Sequence, residues 1–247
     1  MFYYRLVACD VLTREVCHCI ARSPHAIDPV FTEKGEHDQP NAMRIHLQTI
    51  IDGAQEKEYD AILLAYGLCG NATVGLQARK QPLVIPRAHD CTTLFLGSKA
   101  MFTEHFGKNP SQTWASIGYS ERGDKVIADD STRQHLGLEQ SLDELIELYG
   151  EENAQYMLDM LRTEHGSDDV VFIDVPETRI ESVHDRIRAI AEAEGKPVRE
   201  VTGSIRLIDQ LLAGDWPEDD FLVVPPGHRI EAVYDADEVA RAVPISA

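Results

Sequence analysis

Ala61-Ile62-Leu63-Leu64-Ala65-Tyr66 is an almost unbroken apolar run between Asp60 and Gly67, and it leads straight into Gly67-Leu68-Cys69-Gly70-Asn71. Apolar side chains at successive positions leave neither face of an extended segment for water. That is the pattern of a strand buried on both sides of a parallel sheet. A second run of the same kind, Leu83-Val84-Ile85-Pro86, leads into Arg87-Ala88-His89-Asp90-Cys91. Upstream, Tyr3 to Ala8 is aromatic and apolar enough for a strand and is followed at once by Cys9-Asp10.

Helical patterns separate these strands. Thr13 can cap a short helix through Val16 and Ile20, and Met43, Leu47, Ile50 and Ile51 recur at helical spacing behind Asn41 as cap. Between them, Ser23 to Pro40 holds Pro24, Pro29 and Pro40 with little periodicity, so it is expected to be a loop, long enough for a lid. A helix is expected from about Thr92 to Phe106 and a strand over Trp114 to Tyr119. Leu142 to Leu161 carries a helical apolar stripe. Strands are then predicted at Val170 to Val175, Val198 to Val201 and Phe221 to Val224, with helices at Ile180 to Glu194 and Ser204 to Ala213. Alternation of this kind predicts an α/β fold with mainly parallel sheets flanked by helices in Rossmann-like layers. The polar stretch 123–140 is the expected connection between an N-terminal lobe, 1–122, and a C-terminal lobe, 141–247.

The chain has 247 residues, 43% of them hydrophobic, enough to bury a real core without disulfides or structural zinc. Its formal net charge of -19 repels phosphate backbones and anionic lipid, which weighs against nucleic-acid and membrane-surface binding. No apolar run approaches the roughly 20 residues of a membrane span, and the first residues lack the pattern of a secretory signal. A cytoplasmic protein acting on a small molecule, or on another protein, is the expectation. In that compartment the five cysteines are thiols or metal ligands and not a disulfide framework.

In open parallel sheets, ligands bind outside the carboxyl ends of the strands. Cys9, Cys69 and Cys91 each fall just past such an end, and His89 lies two residues before Cys91. Thiolates and imidazole together suit zinc, and donors drawn from separate strands resemble catalytic more than structural sites. Cys9, Cys69, His89 and Cys91 are therefore the expected metal ligands. Cys17-His18-Cys19 is not expected to join them, because adjacent positions on a helix point in different directions. The stretch Gly67 to Gly75 matches neither the dinucleotide nor the Walker pattern. Gly67, Gly70 and Asn71 are expected instead to form a tight turn that presents Cys69 or lets a bound group approach the backbone. Arg87 and Asp90 are candidates to bind a substrate carboxylate and to orient His89. His37, on the Pro-bounded segment, is a candidate ligand or acid-base group. His228, after the last strand, has nothing that places it near the cysteines.

The segments Tyr66-Gly67-Leu68-Cys69-Gly70-Asn71, Pro86-Arg87-Ala88-His89-Asp90-Cys91 and Leu96-Gly97-Ser98 are distinctive together. With Gly203-Ser204-Ile205-Arg206-Leu207 and Phe221-Leu222-Val223-Val224-Pro225-Pro226-Gly227, they resemble the bacterial and archaeal family named domain of unknown function 1638. The resemblance spans nearly the whole chain and implies no established activity. Members are often encoded near corrinoid-dependent methyltransferase components, which implies a place in one-carbon metabolism. His37 with Pro40 matches the family's His and following Pro. Thr113 to Tyr119 departs from its usual aromatic segment. The expected function is a zinc-dependent enzyme, by the resemblance a methyltransferase to a thiol, or by chemistry alone a hydrolase. The alternative is a non-catalytic accessory protein that binds a metal or docks to a corrinoid protein or methyltransferase. The corrinoid lower-ligand motif Asp-x-His-x-x-Gly is absent, so a corrinoid would be met only through such a partner.

Overall fold

The computed structural model describes residues 1–36, 39–107, 112–128, 169–233 and 238–245. The helical stripe expected over Leu142 to Leu161 and the candidate His37 lie outside these residues. The central sheet contains β1 (Tyr3–Cys9), β2 (Ala26–Thr32), β3 (Ala61–Ala65), β4 (Leu83–Pro86) and a C-terminal strand, β8 (Phe221–Val224), in the order β2-β1-β3-β4-β8. The first four are mutually parallel and β8 runs antiparallel to β4. The chain passes from β1 to β2 on one side, then returns to β3 on the other. A reversal of this kind opens a crevice at the carboxyl ends of β1 and β3.

Every residue of β3 is buried, as its apolar run requires. Leu63 and Ala65 face a core with α1 (Thr13–Ile20) and α7 (Arg206–Ala213), while Ile62 and Leu64 face one with Met43, Leu47 and Ile51 of α2 (Pro40–Gly53). Successive side chains of a strand point to opposite faces, so a strand covered on both sides needs apolar residues at every position. Each fully buried Leu there contributes roughly 1.5–3 kcal/mol.

A second, parallel sheet has the order β5-β6-β7, formed by β5 (Trp114–Ser116), β6 (Val170–Asp174) and β7 (Val198–Thr202). Its flank holds α6 (Glu181–Ala193), whose Ile187 and Ala191 pack with Phe172. A short antiparallel pair, β9 (His228–Ala232) and β10 (Ala240–Pro244), completes the strands, and His228 sits at its start. The sheets do not follow the sequence segments 1–122 and 141–247. β5 comes from the first and pairs with β6, whereas β8 comes from the second and pairs with β4. One apolar cluster joins Leu6, Leu63 and Val84 of the central sheet to Val171, Ile173 and Val201 of the other.

Four local expectations are corrected. Ser23 to Pro40 is not all loop: residues 26–32 form β2, and Pro29 is accommodated because β2 is an edge strand. The next helix starts at Pro40, with Gln39 and not Asn41 at the cap position, because a proline's fixed φ and missing N–H suit a first helical turn. The helix expected over 92–106 is two, α3 (Cys91–Leu96) and α4 (Lys99–Phe106). Gly97 ends the first in the left-handed conformation and the Ser98 side chain accepts the Met101 N–H at 3.2 Å to begin the second. β5 stops at Ser116, whose hydroxyl accepts the Tyr119 N–H at 3.2 Å and starts α5 (Ile117–Ser120).

Candidate functional site

Because β1 to β4 are parallel, their carboxyl ends share one rim. Cys9 is the last residue of β1, and Cys91 is the first of α3. The loops after β3 and β4 stay side by side beyond the strands: Leu68 N–H donates to Ala88 O and Cys69 N–H to His89 O, each at 2.9 Å. Gly67 permits this contact, since a Cβ there would lie 2.5 Å from the Asp90 nitrogen. The chain then turns through three left-handed residues, Cys69, Gly70 and Asn71, at φ 45°, 67° for Asn71 and 61° for Gly70. Non-glycine residues avoid that region, so Cys69 and Asn71 carry backbone strain. The Ala72 N–H to Cys69 O bond at 3.1 Å and the Thr73 hydroxyl to Gly67 O bond at 3.2 Å close the turn.

The turn sets the Cys69 thiol against the backbone N–H groups of Gly67 and Cys91, which favour its thiolate. Burial outweighs them and pushes the thiol up to about 12, with the charges of Asp90 and Cys9 adding to the rise. Burial likewise pushes Cys9 up to about 11 and Cys91 well above the ordinary thiol range, and Cys91 also feels Asp90, Cys69 and Cys9. All three side chains keep partial solvent access. They are therefore half-buried and, with their pKa values raised, neutral thiols at neutral pH, poor nucleophiles on their own. Below them Tyr66 and Thr32 share a buried hydroxyl–hydroxyl bond of 2.6 Å.

The structure thus brings Cys9, Cys69 and Cys91 to one rim, within electrostatic reach of each other. It does not set them as a finished ligand set. Donors around one zinc lie roughly 4 Å apart. Among the described residues, the three-residue group whose donor atoms all fall within 4.8 Å is Glu181, His184 and Asp185, on α6. There His184 already bonds Glu200 at 3.0 Å and Arg179 at 3.3 Å, and the adjacent guanidinium disfavours a cation.

The other candidates have other surroundings. His89 is exposed, its ring 5.9 Å from that of Phe102. Asp90 accepts the Thr93 N–H at 3.3 Å and caps α3, so it holds the segment bearing Cys91; burial raises its pKa. Arg87, expected to meet a substrate carboxylate, instead donates to backbone carbonyls, at 2.7 Å to Glu218, 2.6 Å to Glu238, and to Ala240. Its fork ties β4 to the chain before β8 and to β10. Cys17 is exposed and Cys19 buried on α1, so the Cys17-His18-Cys19 run does diverge.

Sequence reasoning missed Lys34. Its ammonium donates to the carbonyls of Tyr119 (2.9 Å), Arg122 (2.6 Å) and Lys125 (2.5 Å), and lies 3.5 Å from the Tyr119 ring centroid. Burial lowers its pKa to about 8, against the pull of Asp10, Cys9 and Cys91. The lysine fastens the end of β2 to the segment after α5, and its only sequence signal is a cation following an unrecognised strand.

A family described as "Protein of unknown function (DUF1638)" matches residues 31–212. The match takes in Lys34, Cys69, His89, Asp90 and Cys91 and begins after Cys9. The curated proteins and the solved structures yield no match. Among the described residues no helix is long and apolar enough to cross a membrane. With well over half of its length matched, the chain belongs to the DUF1638 family.

Proposed function

We propose that the rim formed by Cys9, Cys69 and Cys91, completed by His89, binds a soft divalent cation, zinc first, and that the protein is a cytoplasmic enzyme of one-carbon metabolism transferring a methyl group to a thiol. The observation that carries this reading is the approach of three thiols, from the end of β1 and from the segments that follow β3 and β4, to within electrostatic reach of one another at the rim where the strand order reverses. The donor set fits zinc chemically: a cation placed among the three thiols would favour the thiolates that burial and mutual repulsion disfavour. Bound there, zinc supplies Lewis acidity that lowers the pKa of a ligand thiol.

The chain's own residues do the rest. Asp90 holds the start of α3 so that Cys91 faces the rim, and the Gly67 contact fixes the Cys69 loop beside it. The Tyr66–Thr32 hydroxyl pair is buried beside Cys9 and Cys69. Elemental analysis of untagged protein tests the reading. About one equivalent of zinc, lost in both Cys69→Ser and Cys91→Ser, supports it; less than about 0.2 equivalents, unchanged by either substitution, removes it.

A further inference from the structure

We propose that Cys69 and Cys91 are a reversible disulfide pair, so that the rim holds either a cation or an S–S bond. The exclusive choice rests on the zinc reading above; the bond itself does not. The Cys69 thiol lies against the backbone N–H of Cys91, and the Cys91 thiol against that same N–H. Two thiols on one N–H are within side-chain reach of each other, the condition for a disulfide without backbone travel. Of the two neighbouring thiols, Cys69 acts more strongly on Cys91 than Cys9 does.

Backbone contacts hold the pair together. The Leu68 and Cys69 N–H groups bond the Ala88 and His89 carbonyls at 2.9 Å, and Asp90 fixes the start of α3 through the Thr93 N–H at 3.3 Å. Holding two reacting groups side by side raises their effective concentration far above that of a free thiol. Cys9 is tied into β1, opposite Thr32 of β2, and is left as the third thiol. Both partners keep partial solvent access, so a low-molecular-weight disulfide is the fitting oxidant. One protein thiol loses its proton and attacks a sulfur of the small disulfide, expelling one small thiol and forming a mixed disulfide. The second protein thiol loses its proton and attacks that bond, expelling the other. Two protein thiols are oxidised to one disulfide, and the small disulfide is reduced to two thiols that carry both hydrogens.

The test uses the full chain, freed of metal and incubated with bis(2-hydroxyethyl) disulfide. Free thiols are then blocked under denaturing conditions and the protein is cut with trypsin. Cleavage after Lys and Arg puts Cys69 in Glu58–Arg79, Cys91 in Ala88–Lys99, Cys9 in Leu6–Arg14 and both remaining cysteines in Glu15–Arg22. Mass spectrometry should find Glu58–Arg79 joined to Ala88–Lys99, two hydrogens short of their sum, with Leu6–Arg14 blocked as a free thiol. Dithiothreitol should undo the link. In Cys69→Ser the small thiol should stay on Cys91 as a mixed disulfide. Zinc added beforehand should slow the link at least about tenfold. Mapping of the unaltered chain needs no variant, so it holds even where a substitution disturbs folding. No link, or a link through Cys9, overturns the proposal and leaves the zinc content of the protein as a separate result. A link that forms equally fast with zinc present overturns the exclusive choice, and elemental analysis then shows whether the zinc reading falls with it.

Discussion

At the residue scale, two positions decide whether the cysteines share a rim. Gly67 lets the loops after β3 and β4 touch backbone to backbone, and the Asp90 nitrogen 2.5 Å from its virtual Cβ leaves no soft side chain to give way. Gly67→Ala should therefore cost about 1–3 kcal/mol, read as a lower urea midpoint at unchanged slope. Exposure separates the thiols: Cys17 is open to solvent, while Cys9, Cys69 and Cys91 are only partly so and are held neutral by burial. Iodoacetamide at pH 7.5 (about one unit below the free thiol value) should modify Cys17 first by peptide mapping, with the three rim thiols far slower. That Cys9, Cys69 and Cys91 fall at or just beyond the carboxyl ends of β1, β3 and β4 was legible, because strand ends are visible as the point where an apolar run meets Gly or a polar residue. The contact of His89 with Phe102 was not. A side chain on a short loop is aimed by packing, here beside Phe102, and no periodicity records it.

At the element scale, β2 was the strand that sequence concealed. Its residues are mostly half-buried on the sheet edge and include Pro29, so the apolar pattern that marks β3 is missing. Polar contacts hold it instead. Asp28 accepts from Tyr3 at 2.5 Å, Tyr59 at 2.7 Å and Lys57 at 2.8 Å, and these partners keep its carboxyl well below the usual range. A depressed carboxyl pKa stabilises the fold above the unfolded value near 3.9, and that stabilisation is lost as pH falls through the folded value. Asp28→Asn should cost about 1–2 kcal/mol at pH 7, solvent exposure keeping it modest. The gap from the parent protein should shrink as denaturation is repeated below about pH 4. At the other end of β2, Lys34→Met removes three bonds to carbonyls. It should raise hydrogen exchange in residues 119–125 with little change in the central strands.

At the scale of the whole molecule, the sheets exchange strands across the polar stretch 123–140, and local patterns carry no record of that. A strand's type is written in its own residues, but its neighbour is chosen by packing far away in sequence. Phe221 of β8 is buried in the cluster that joins both sheets. Phe221→Ala should cost about 3–5 kcal/mol and lower one shared thermal transition for both sheets, seen by near-ultraviolet circular dichroism. Glu15 of α1, bonded at 2.6 Å to Thr178 beyond β6, ties the same two layers. This frame holds the ends of β1, β3 and β4 in one place, and the zinc reading depends on it. X-ray absorption at the zinc edge of the purified protein tests that reading most directly. The account predicts a shell of three sulfur neighbours at about 2.3 Å, reduced in Cys91→Ser; a shell of nitrogen and oxygen alone, at about 2.0–2.1 Å, would contradict it.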